Sequence, residues 1–131
     1  MKEFGMKNLD IPKTKTTPEI HFNSSTNELT IKGESFPENT SEFYAPVFEW
    51  LEEYFVTIKD QPVTVNIELV YFNSSSSKVL MNLFDMLEEN VQIGKQITVN
   101  WLYDEDNEMA VEYGEDFMED LESLQINLVK I

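Results

Sequence analysis

The sequence predicts one α/β domain, a mixed β-sheet packed with helices. Segments in which apolar residues alternate with polar ones are interleaved with segments whose apolar residues recur every three or four positions. At 131 residues the chain is about one domain long. It contains no internal repeat and no interior linker long enough to divide it.

Residues 1–17 are polar, rich in Lys and Thr and without apolar periodicity, and are expected to be a flexible arm; residues 18–131 form the domain. "EIHFNSSTNELTIKG" has apolar pairs Ile20/Phe22 and Leu29/Ile31 separated by Asn, Ser and Thr, a hairpin that ends near Gly33. Phe43, Val47, Trp50, Leu51 and Tyr54 follow at helical spacing. Pro46 lies inside that pattern, so the helix either starts near it or kinks there. Val63, Val65, Ile67, Leu69 and Tyr71 alternate as a strand. Val79, Leu80, Leu83, Met86 and Leu87 form a helical face, with Gly94 as a stop. Ile97, Val99, Trp101 and Tyr103 alternate as another strand, Met109, Tyr113 and Phe117 share a helical face, and "LQINLVKI" closes as a short strand. The order is β-β-α-β-α-β-α-β: about five strands, mostly parallel beyond the first hairpin.

Composition narrows the function. With no cysteine, disulfides, thiolate metal sites and cysteine nucleophiles are excluded. Twenty-five acidic residues against nine lysines and no arginine give a formal charge of −16, which repels nucleic acid and anionic membranes and steers partners that offer Lys or Arg. There is no signal-peptide core and no long apolar run, so the cytoplasm is the expected location.

Four serines, Ser74 to Ser77, lie where a strand ends and a helix begins. Ser or Asn there serves as a helix cap, but one cap needs one hydroxyl. A kinase can reach a run of serines in a connection, and a phosphate there would meet free amides and the positive end of the helix dipole. Lys78 is the only neighbouring cation in the sequence.

"TPEIHF", "GESFPENTSEFYAPVFEWLEEYF", "YFNSSSSKVL", "VNWLYDEDNEM" and "EYGEDFMED" together resemble the SiaC family of bacterial regulatory phosphoproteins over residues 16–128. These are STAS-like domains similar to anti-anti-sigma factors. The resemblance implies a switch without catalytic activity or cofactor, a monomer when free. A partner kinase phosphorylates a hydroxyl just after an Asn, and a PP2C-type phosphatase removes the phosphate. The unphosphorylated form activates a diguanylate cyclase, which promotes aggregation or biofilm formation through c-di-GMP. By that resemblance the acceptor is Ser74, after Asn73, with Ser75 as the alternative. The best-known member has Thr at the acceptor position, where this chain has Ser followed by three more. Asn73, Ser75, Ser76, Ser77 and Lys78, with Glu34, Ser35, Phe36, Pro37, Glu38 and Asn39, are expected to form the partner surface. The alternative is an anti-anti-sigma-type protein acting on a sigma-factor-sequestering kinase.

Other constellations weigh less. Asp104, Asp106, Glu108 and Glu115 match calcium-loop positions, but Met109 stands where that loop needs glycine. His21 has no second histidine or cysteine to share a metal and is expected on a strand surface. No G-x-S-x-G elbow or Gly-rich phosphate loop accompanies the serines, so neither a hydrolase nor an NTPase is indicated.

Overall fold

The computed structural model describes residues 6–131. Its elements are β1 (Leu9–Ile11), β2 (Glu19–Asn23), β3 (Glu28–Ser35), α1 (Thr40–Thr57), β4 (Val63–Phe72), α2 (Ser74–Gln92), β5 (Ile97–Tyr103), α3 (Glu108–Glu119) and β6 (Gln125–Lys130). One six-stranded sheet holds them in sequence order, β1-β2-β3-β4-β5-β6. The first two pairings are antiparallel and the remaining three parallel. The expected α/β architecture is therefore present with one strand more than the sequence suggests.

That strand is β1, and it corrects the reading of residues 1–17 as an arm. Leu9, Asp10 and Ile11 pair with Phe22, His21 and Ile20. A three-residue strand is too short for periodicity to reveal, and Leu9 and Ile11 are only partly buried against the core. The His21 ring, exposed as expected, hydrogen-bonds the Asp10 carboxylate across this pair. Residues 1–5 of the expected arm lie outside the described residues.

Parallel neighbours in sequence order need crossovers of one hand, and such crossovers place their helices on one face of the sheet. Burial agrees. Leu29, Ile31, Val63, Val65, Ile67, Val99, Trp101 and Ile126 point inward and join residues of all three helices in one core. On the other face a polar row, Asp10, His21, Thr30, Asn66, Asn100 and Asn127, crosses every strand. Within it the Asn100 amide donates to Asn66 at 3.0 Å and Asn127 to Asn100 at 3.2 Å.

Helix α1 runs unbroken through Pro46 from its cap, where the Asn39 side chain accepts from the Glu42 amide. Pro46 removes one donor near the start of the helix, which α1 survives because Tyr44, Val47, Trp50, Leu51, Tyr54 and Phe55 are all buried.

Two sequence-based phases differ from the structure. In β4 the alternation stops after Leu69: Tyr71 is 54% exposed and Phe72, 7% exposed, takes the inward place. The cause is a bulge. Gly33 of β3 faces Leu69 and Glu34 faces Tyr71, which leaves Val70 without a partner on β3. Gly33 contributes a φ of +131° at that slip, a conformation that disfavours any side chain. In α3 the inward residues are Ala110, Gly114 and Phe117, whereas Met109 is 60% exposed and Tyr113 half-buried. A Cβ on Gly114 would sit 2.7 Å from Leu128 and 2.8 Å from Trp101, so α3 turns its smallest residues to the sheet. The Trp101 indole N–H donates to the Ala110 carbonyl at 2.7 Å and fixes that approach.

Gly114→Ala should therefore lower stability by about 1–3 kcal/mol through overpacking, although the same change in an open helix stabilises by about 1 kcal/mol. Urea denaturation measures the sign. The Glu88 carboxylate of α2 accepts the N–H groups of Glu122, Ser123 and Leu124 at 2.9, 2.9 and 2.6 Å, clamping the α3–β6 connection. These bonds, that of Glu122 foremost, hold its pKa below the ordinary glutamate value. Because the folded-state pKa is depressed, the stabilisation is present above the unfolded value and lost as pH falls through the folded one. Melting curves should show the wild type above Glu88→Gln at about pH 7, with the gap closing in acid.

Candidate functional site

The serine run forms the first turn of α2. Asn73 is its cap: the side-chain oxygen accepts the Ser76 amide at 2.9 Å, and its carbonyl accepts the Ser77 amide at 2.9 Å. The amides of Ser74 and Ser75 precede the helical ladder and have no acceptor within it. Both side chains are exposed. A phosphate on either would meet these amides at the positive end of a 19-residue helix, with exposed Lys78 one turn on.

Ser76 points the other way. It is fully buried, its hydroxyl 3.0 Å from the Ser35 carbonyl and 2.7 Å from the Ser35 hydroxyl. Ser35, also fully buried, is 2.7 Å from the Tyr44 hydroxyl of α1. If the Ser76 proton goes to the Ser35 carbonyl, Ser35 must donate to Ser76 and Tyr44 to Ser35. This chain needs a neutral phenol, and burial pushes the Tyr44 pKa up, against a smaller lowering by Ser35.

The structure brings the two expected halves of the partner surface together, because the Asn73 amide donates to the Ser35 carbonyl at 3.0 Å. It also corrects the membership. Ser35, Pro37 and Ser76 are buried and cannot touch a partner; Glu38, Asn39, Ser74, Ser75 and Lys78 are exposed, and Glu34, Phe36, Asn73 and Ser77 half-buried. Four identical residues give no periodicity from which to choose the inward one.

Several residues join this rim without a signal in the sequence. The Phe36 ring packs edge-on against Tyr71 at 5.6 Å, which makes Tyr71 surface beside the cap rather than core. Lys13 and Lys15, assigned by sequence to the arm, line a shallow depression with Glu34, and the Phe36 amide donates to the Thr16 carbonyl at 2.8 Å.

The calcium-like residues do not converge. Asp104 accepts the Asp106 amide at 2.9 Å in a tight turn, and the helix that starts at Glu108 carries Glu115 away from it. Among the described residues no cluster of three or more His, Asp or Glu is arranged to hold a metal, and no helix is long and apolar enough to cross a membrane.

Comparison with known proteins places this geometry. A family profile described as SiaC family regulatory phosphoprotein matches residues 11–131. An uncharacterised protein of Pseudomonas aeruginosa (strain UCBPP-PA14) is 37% identical over 115 residues, 88% of this chain and 90% of the relative. The structure of SiaC of Pseudomonas aeruginosa superposes with a TM-score of 0.87 at 32% identity, covering 96% of this chain and all of that one. A crystal structure of the diguanylate cyclase SiaD in complex with its activator SiaC, also from Pseudomonas aeruginosa, matches with a TM-score of 0.88 at 34% identity over 94% of this chain and 99% of that one.

Ser76→Ala should cost about 1–3 kcal/mol, because it breaks a buried hydroxyl chain, whereas Ser74→Ala should stay within about 0.5 kcal/mol of wild type. Chemical denaturation of the two variants side by side checks the division of the run.

Proposed function

The chain belongs to the SiaC family of regulatory phosphoproteins, and from that premise we propose that it is a phosphorylation-gated activator of a diguanylate cyclase. Membership makes it a regulator rather than an enzyme. The observation that carries the finer reading is the division of the serine run, two hydroxyls open to a kinase at the start of α2 and the next one buried. Ser74, directly after the capping Asn73, is the acceptor, with Ser75 the alternative. A partner kinase adds the phosphate and a PP2C-type phosphatase removes it, both in the cytoplasm. The unmodified chain binds and activates the cyclase. The complex of SiaC with SiaD favours a cyclase over a sigma-factor-sequestering kinase as the output partner.

The switch acts at the interface. Phosphate at a helix N-terminus suits the dipole and leaves the Asn73 cap intact, so the fold has no reason to rearrange. No arginine exists to draw a segment around the new charge. A dianionic group forced into a surface built for a neutral hydroxyl costs several kcal/mol unless cations meet it.

Phosphorylation of Ser74 should weaken cyclase binding by about a hundredfold or more, a loss of about 3 kcal/mol, with the melting temperature nearly unchanged. Ser74→Ala should remain competent to bind and activate. Calorimetry with the cyclase, with phosphopeptide mass spectrometry to locate the modified serine, decides both points. Equal affinity of the phosphorylated and unmodified chains for the cyclase would sink the reading.

A further inference from the structure

Beside the serine turn the surface is apolar where a soluble domain has least reason to be. Val70 is 62% exposed, Tyr71 54% and Met109 60%. Val70 and Tyr71 owe their exposure to the β4 bulge, and Met109 owes its own to the inward turn of Ala110 and Gly114 in α3. The β4 bulge leaves Val70 without a β3 partner, and pairing with β5 ends at Ile67–Trp101, so beyond that point β4 is paired on its β3 side alone and its other edge is open. Asn107 bridges to this open edge: its side-chain oxygen caps α3 through the Ala110 amide at 3.2 Å, and its amide donates to the Val70 carbonyl at 3.1 Å.

The result is a groove in two parts that share Leu69, Val70 and Asn107. The narrow part, about 110 Å³ between Tyr71, Met109 and Tyr113, is apolar. The wider part, about 400 Å³, is rimmed by Glu68, Asp104 and Asp106, and among the described residues no lysine lines either. Tyr71 connects the groove to Phe36 and, two residues on, to the Asn73 cap.

We propose that this groove is the second half of the cyclase-docking surface, its narrow part taking an apolar side chain of the cyclase and its wide part the Lys or Arg beside it. The inference rests on the activator reading above. Charge selects the occupant: a second copy of this chain, at −16, would set carboxylates against carboxylates, whereas a basic segment is drawn in. The apolar contact gives the fully desolvated anchor on which most interfaces depend. It also explains how one phosphate at Ser74 is felt, since it would stand at the rim of the same groove.

The test uses the full chain, unmodified, with the diguanylate cyclase of its own host, measured by calorimetry at two salt concentrations. Val70→Glu and Met109→Glu, both at exposed positions, should each weaken binding at least tenfold with melting temperatures kept, and the second stands in if the first disturbs the bulge. Asp106→Lys should weaken binding severalfold and reduce its salt dependence. Binding within twofold of wild type in all three variants overturns the groove. So does a pattern in which the variants bind the cyclase normally but lose dephosphorylation by the phosphatase. Absence of cyclase binding by the unmodified wild type counts instead against the activator reading, and the two failures are thereby distinct.

Discussion

The carbonyl of Ser35 is the point on which the rest of this molecule is hung. It accepts the Asn73 amide and the Ser76 hydroxyl, each at 3.0 Å, and so ties the end of β3 to the turn that leaves β4. Through the Ser35 and Tyr44 hydroxyls the same knot reaches α1. A buried polar group left without partners costs more than a made bond returns, so these partners are obligatory rather than optional. The knot sets the rotation of α2 about its axis, and that rotation decides which serines face water. A loosely held first turn would present the four hydroxyls interchangeably; this one presents Ser74 and Ser75.

The second constraint is steric. Gly114 lets α3 approach Trp101 and Leu128 to a distance no side chain would allow, and the Trp101–Ala110 hydrogen bond holds it there. Turning Ala110 and Gly114 inward necessarily turns Met109 outward. The bulge does the same for Val70 and Tyr71 on β4. Two unrelated local irregularities thus expose apolar side chains on one rim, between the cap of α3 and the cap of α2.

This accounts for what could be read in advance. The order of elements, the parallel sheet and the Asn73 cap follow from alternation, helical spacing and capping chemistry, all of them local. The phases that failed depend on contacts distant in sequence. Tyr71 keeps the alternation of Val63 to Leu69 on paper, and only the slip against Gly33 moves it out. Met109, Tyr113 and Phe117 make a plausible helical face until the space beside Trp101 is considered. Ser76 cannot be told from Ser75 without Ser35, 41 residues away. Leu9 to Ile11 needs the edge of β2 to become a strand. Which residues of the expected partner surface are exposed was therefore not legible residue by residue.

Topology explains why these features meet. When parallel strands follow one another in order, every strand that leads into a helix ends on the same rim, and every following helix begins there with unpaired amides. The Asn39, Asn73 and Asn107 caps all occupy that rim, one for each helix. Away from that rim, the open sheet face carries the polar row, in which Asn66, Asn100 and Asn127 are joined to one another by side-chain hydrogen bonds. A charge placed at the start of α2 is screened over about 8–10 Å in physiological salt, so it can act on neighbouring contacts and not on the far side of the domain. The fold gathers its helix starts, the exposed Val70, Tyr71 and Met109 and the accessible serines on one rim, so under the proposed reading a phosphate there acts directly on whatever docks beside it. It needs no second conformation to do so.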